Sequence, residues 1–221
     1  PVRPSFASPR KGILPASFRI AAALIVFSAI GIGAAKYLSM PDGTTYATGV
    51  GGHKTITLAD GTRIELNTDT SLRIALKDDQ RKVVLDKGEA FFHVTHDAAR
   101  PFTVVTGNHR VTDLGTKFTV RENGDSLRVA LLEGRAKVET DSVWNQPQSI
   151  ILTPGDVVLA TRSSLSMERQ PSHFLKDELG WRRGMLIFDR TSLADVVAQF
   201  NRYNTKKLSV SGSVAQMKID G

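Results

Sequence analysis

Cysteine is absent from all 221 residues, which excludes disulfides, thiolate nucleophiles and thiolate-held metals. Aromatic residues make up only 7% of the chain, and Trp144, Trp181 and Tyr203 are dispersed; they read as fillers of core or boundary gaps rather than a sugar-stacking surface. Catalytic motifs are missing as well. There is no G-x-S-x-G, and no histidine or carboxylate pair is placed to serve a nucleophile. Gly49-x-Gly51-Gly52 lacks the preceding strand and following helix that a phosphate loop requires. His93 and His96 stand three apart on an expected strand, which turns them to opposite faces and argues against a shared metal. We therefore expect no conventional enzyme, and neither cofactor nor metal.

Acid is also missing where base is rich. Residues 1–19 contain Arg3, Arg10, Lys11 and Arg19 with no Asp or Glu, so they hold +4 of the net +7. The basic balance thus belongs to this lead rather than to a nucleic-acid surface, and no direct nucleic-acid partner is expected. Four of the nine prolines fall in the same stretch and apolar periodicity does not, so it reads as a disordered lead.

One long apolar run comes next. Ile20 to Ala35 are uncharged and would span about 24 Å as helix, short of a bilayer core of about 30 Å. Reading on to Leu38 makes up the difference if Lys36 snorkels its amine to the headgroups. Residues 20–38 are expected to be a single membrane-spanning helix; a cleaved signal peptide is the alternative, since Gly33-Ala34-Ala35 offers a small-x-small site. With the basic flank held inside, residues 1–19 are cytoplasmic and everything after about residue 39 is outside, which in a bacterium means an inner-membrane protein facing the periplasm.

From Thr44 to about Glu168 the pattern becomes short alternating segments. Leu72, Ile74 and Leu76 alternate with polar residues, as do Leu127, Val129 and Leu131, which is the period of half-buried strands. A leucine precedes a glycine by three at Leu58/Gly61, Leu85/Gly88, Leu131/Gly134 and Leu152/Gly155, each with alternating apolar residues after it. The glycines supply the positive φ of tight turns, and Pro154-Gly155 fits a type II turn. Each unit is expected to be strand, turn, strand. Spacings of 27, 46 and 21 residues are too uneven for a solenoid, so the expected fold is mainly β, a roll or sandwich of about a dozen short strands over residues 44–170.

Residues 171–180 fit neither period and mark a boundary. Beyond it, residues 181–221 read as a small α+β unit of β-α-β type: a strand at Met185–Asp189, a helix at Ser192–Tyr203, and strands around Leu208/Val210 and Met217/Ile219. Ser192 can cap the helix with Asp195 as its box partner, and Leu193, Val196, Val197 and Phe200 form its apolar stripe. The chain opens on Pro1 and stops at Asp220-Gly221 inside a patterned segment, so it reads as a piece of a longer protein, with this last unit truncated.

The runs LADGTRIELNTDTSL (58–72), KGEAFFHV (87–94), RPFTVVT (100–106), DLGTKFTV (113–120), LLEGRAKV (131–138) and LTPGD (152–156) resemble the periplasmic domain of FecR-type transmembrane sigma-factor regulators. GWRRGMLIFDRTSLADVVAQFNRYN (180–204) is similar to the module that closes those proteins, a relative of the short domain at the N-terminus of secretins and TonB-dependent transducers. The resemblance implies cell-surface signalling, in which an outer-membrane TonB-dependent transducer binds an iron-siderophore, its periplasmic signalling domain contacts this protein, and a cytoplasmic ECF-type sigma factor responds. It also implies a sigma-binding segment longer than the 19 residues that precede the apolar run.

Two candidate sites stand out. An incomplete β-α-β unit presents an open edge, so the transducer contact is expected on Leu186, Phe188, Leu208 and Val210, the alternative being that these residues simply bury against the helix stripe. Some relatives look to be cleaved by themselves at a Gly-Thr bond in the DLGTKFTV motif, which here is Gly115-Thr116; the alternative is a turn glycine before an ordinary strand residue. A different class also stays open, a membrane-anchored structural scaffold that binds polysaccharide or a secretin.

Overall fold

The computed structural model describes residues 43–77, 80–113, 115–124, 126–140, 147–161 and 164–221. The expected span at 20–38 and Trp144 lie outside them. Among the described residues no helix is long and apolar enough to cross a membrane.

Period-two alternation builds two sheets that share a strand. The first runs β1 (Thr44–Ala47), β4 (Ser71–Lys77), β5 (Gln80–His93), β6 (Phe102–Thr106), β7 (His109–Asp113), β10 (Ala136–Thr140) and β11 (Gln148–Leu152). The second runs β2 (Lys54–Thr57), β3 (Arg63–Leu66), β5, β8 (Lys117–Glu122), β9 (Ser126–Glu133), β12 (Asp156–Thr161) and β13 (Leu165–Arg169). Strand β5 belongs to both. Its first half pairs antiparallel with β4 and parallel with β6, and its second half pairs with β3 and β8. Gly88 lies between the halves at φ 92°, and a Cβ there would lie 2.6 Å from Thr70 Cα, so only glycine fits. The expected mainly-β sandwich of about a dozen strands is what forms.

The inner faces close on one core. Ile64, Leu66, Val83, Phe92, Phe102 and Phe118 are fully buried in it, with Phe92 stacked on Phe118 at a centroid distance of 4.9 Å. The repeat glycines do take positive φ, but their role differs from the expectation. Only Leu58–Gly61 closes a hairpin, β2 to β3. Gly88 sits inside a continuous strand, while Gly134 and Gly155 lie between β9 and β10 and between β11 and β12, where the chain passes from one sheet to the other. Pro154-Gly155 makes the expected turn, with the Asp156 amide donating to the Thr153 carbonyl at 3.0 Å and Gly155 at φ 96°.

The outer face of the second sheet is covered by the C-terminal segment: helix α1 (Ser172–Glu178), a 3-10 turn (Leu179–Arg183), β14 (Thr191–Ser192), helix α2 (Leu193–Tyr203) and β15 (Lys218–Ile219). Leu175 packs on Ala130 and Val157, and Leu179 and Trp181 pack on Phe91. Ser192 caps α2 as expected, accepting from the Asp195 amide at 3.2 Å.

Three expectations are corrected by this segment. Helix α1 occupies the stretch read only as a boundary; its seven residues bury Leu175 alone, too little for a visible stripe. Met185–Asp189 forms no strand: Phe188 exchanges its N–H and C=O with Gly221 at 2.6 and 3.0 Å, but Arg190 at φ 46° interrupts the ladder, which resumes only at Thr191. Leu208 and Val210 form none either, because the Asn201 side chain satisfies both backbone groups of Leu208, at 2.7 and 2.8 Å, in place of a neighbouring strand.

Candidate functional site

Two places combine unusual chemistry with accessible partners. The first is the Gly115-Thr116 bond, just before β8. Gly115 adopts φ 133° and donates its amide to Asp113 Oδ1 at 3.2 Å. A Cβ on Gly115 would meet the Cα and Cβ of His96 at 2.6 Å and its Nδ1 at 2.8 Å, so His96 is stacked directly on this glycine. Opposite, Gly134 leaves room for the Thr116 methyl, and a Cβ there would stand 3.0 Å from the Gly115 carbonyl oxygen. Thr116 is buried and its Oγ1 has no hydrogen-bond partner among the described residues. An orphaned buried hydroxyl costs about 1–3 kcal/mol, and here it lies next to a carbonyl flanked by two glycines. His93, by contrast, is exposed at the end of β5, where it pairs with Lys117 rather than with Gly115 or Thr116.

The loop that carries His96 is held from behind. Arg81, 2% exposed, bonds Asp60 at 3.0 Å and the carbonyls of Thr95 and Arg100 at 2.8 and 2.7 Å. Burial pushes the Asp60 carboxyl up, but hydrogen bonds from Thr62 and Arg81 outweigh it and hold the group below its ordinary range.

The second place is the outward side of the C-terminal segment. Leu186, Phe188 and Val210 are half-buried and Leu208 is 59% exposed. Phe188 faces Phe200 of α2 at 6.0 Å, and Phe200 itself is 41% exposed, so the expected helix stripe is only partly covered: Val196 is buried, Leu193 and Val197 half so. Met185, Val214 and Met217 add exposed apolar surface to the same segment.

On its inward side, the segment is clamped to the second sheet by two arginines. Arg182 makes a bidentate pair with Glu65 at 2.7 and 2.8 Å while its guanidinium lies 3.7 Å from the centre of the Phe91 ring. Arg202 bonds Glu89 at 2.6 Å, and the Tyr203 hydroxyl accepts from Asn67 at 2.8 Å. Burial raises the Glu65 carboxyl, but Arg182 more than compensates and the group stays below its ordinary range. Neither arginine stands out in the sequence. Each sits in a mixed polar run whose partners lie more than a hundred residues away.

Comparison with known proteins agrees with this architecture. Residues 44–137 match the family described as FecR protein. A crystal structure at 1.65 Å of a candidate anti-sigma factor from Parabacteroides distasonis is similar over 80% of this chain and 83% of its own, at 26% identity and a TM-score of 0.66. A second structure so described from the same organism, at 2.50 Å, gives 26% identity and a TM-score of 0.65 with the same coverage. No curated protein matches. The β-sandwich thus matches the FecR family over residues 44–137, in agreement with the resemblance carried by its motif order.

Proposed function

We propose that this chain is a membrane-anchored anti-sigma-type regulator that relays the state of an outer-membrane TonB-dependent siderophore transducer to a cytoplasmic ECF-type sigma factor. The observation that carries the reading is the FecR match over 44–137, supported by the likeness to the Parabacteroides structures. Residues 20–38 anchor it in the inner membrane with residues 1–19 inside, and the C-terminal segment receives the transducer's periplasmic signalling domain. The apolar surface of Phe188, Phe200 and Leu208 is the docking ground, and the strand pair β14/β15 offers an edge for β-augmentation. Co-purification with the isolated signalling domain tests this: the intact chain should retain it and a chain lacking residues 181–221 should not. Retention by the shortened chain would move the contact off residues 181–221, and capture of glycan or secretin instead would transfer the protein to the scaffold class.

The orphaned Thr116 hydroxyl favours a second activity, self-cleavage. Oγ1 attacks the Gly115 carbonyl carbon, the Gly115–Thr116 C–N bond breaks as the nitrogen takes the hydroxyl proton, and an ester joins the two residues. Water then opens the ester to leave a Gly115 carboxylate and a Thr116 amine. Expressed chain should yield two fragments that co-migrate until denatured, and Thr116→Val should yield one. A single intact species from both would remove this activity.

A further inference from the structure

Between the second sheet and the C-terminal segment lies a cavity of about 460 Å³, within the range of small-molecule sites. Its floor is a row of cross-strand neighbours: Glu89 on β5, Arg121 on β8 and Arg128 on β9. Its walls come from Phe174, Trp181, Phe188 and Tyr203.

The charges on this floor do not balance around Arg121. Arg202 and Asn67 already engage Glu89, at 2.6 and 3.0 Å, and Arg128 pairs with Glu178 at 2.9 Å. Arg121 makes no hydrogen bond or ion pair with any described side chain, and its direct opposite on β9 is another arginine. Like charges facing across a ladder destabilise a sheet. Burial, and then the nearby Arg202 and Arg128 guanidiniums, disfavour its charge, with Glu89 the main opposing influence. Asp177 and Asp189 also line the cavity from the helical wall, and Asp195 there is tied to Ser192 at 2.5 Å. A second donor is unused: Trp181 is 7% exposed and its Nε1–H has no partner among the described residues. A strand position that needed only to fold would not keep a half-buried, unpaired guanidinium opposite its like.

We propose that this cavity is a binding site for a small organic carboxylate, its anionic head on Arg121 and its apolar body against Phe174, Trp181 and Phe188. The carboxylate supplies the hydrogen-bonded partner that Arg121 lacks, and the Arg fork matches it bidentately. Because the walls belong to the C-terminal segment and the floor to the sandwich, an occupied cavity ties the two together. The site is separate from Gly115-Thr116, and it shares Leu186 and Phe188 with the expected transducer contact.

The test uses the full chain, with thermal unfolding and calorimetric titration against benzoate, phenylacetate, 3-phenylpropionate, hexanoate and octanoate, each beside its primary amide. At least one acid should raise the melting temperature and bind ten-fold or more tighter than its amide. Arg121→Met should lose that binding ten-fold or more yet melt above the wild type when ligand-free, and Arg121→Lys should bind between the two. No shift by any acid, equal binding by Arg121→Met, or a ligand-free Arg121→Met that melts below the wild type would each overturn the proposal, the last by making the guanidinium structural.

Discussion

The two faces of the second sheet are built from the same strands and use them differently. Inward, β5, β8 and β9 present Ala90, Phe92, Phe118, Val120, Val129 and Leu131, none of which is exposed. Outward, the same strands present Glu89, Phe91, Thr119, Arg121, Arg128 and Ala130, where three charged side chains stand among apolar ones beneath a separate layer of helix. The inner face needs only shape, so volume and alternation suffice to make it. The outer face is held by a few specific pairs whose partners lie far along the chain, which makes it the face where a partner or ligand can act without unmaking the fold.

That contrast can be broken at graded cost. Phe92→Ala removes the ring that stacks on Phe118 and lies tilted against Phe102, and should cost about 3–5 kcal/mol in urea unfolding; a loss below about 1 kcal/mol would mean that the inner face is not the seat of stability. Arg81→Ala strands the Asp60 carboxylate and frees the loop carrying His96; a loss of about 3 kcal/mol is expected, with faster proteolysis at residues 95–100.

On the outer face, Arg182→Ala should cost less, about 1–3 kcal/mol, by leaving Glu65 buried without its partner. The pair also has a pH signature. The Glu65 carboxyl lies lower in the folded chain than in the unfolded one, so its contribution is complete above the unfolded value of about 4.3 and is lost as pH falls through the folded value. The variant should show a shallower acid limb in unfolding measured from pH 6 down to pH 3.

The smallest effect belongs to His109. Buried beside Thr140, with its Nδ1 2.8 Å from the Thr140 hydroxyl, it is held below its ordinary value by burial. The unfolded chain therefore binds a proton first, and stability should decline as pH drops below about 6.5, a slope that His109→Gln removes.

Alternation made the sandwich legible, because each strand's apolar set lies within five or six residues. The Leu-x-x-Gly units were legible as positive-φ points but not as passages between sheets, since pairing partners are a long-range property. Strand β5 hides its double membership for the same reason: Leu85 and Ala90 read as two strands, while Gly88 lets one strand continue. In the C-terminal segment the Ser192 cap was visible locally, but the Asn201 side chain that replaces a strand partner at Leu208 was not. Arg121 was invisible because a charged residue at an outward strand position looks like an ordinary solvated one; only the register that faces it with Arg128 sets it apart.

The exposed surface of α2 and its neighbours is proposed to receive the transducer's signalling domain. Phe200→Asp and Leu208→Asp change side chains that are 41% and 59% exposed, so both variants should keep the wild-type unfolding midpoint. Titration with the transducer's signalling domain should then show affinity reduced at least ten-fold in both. Unchanged affinity in two fully folded variants would contradict the account.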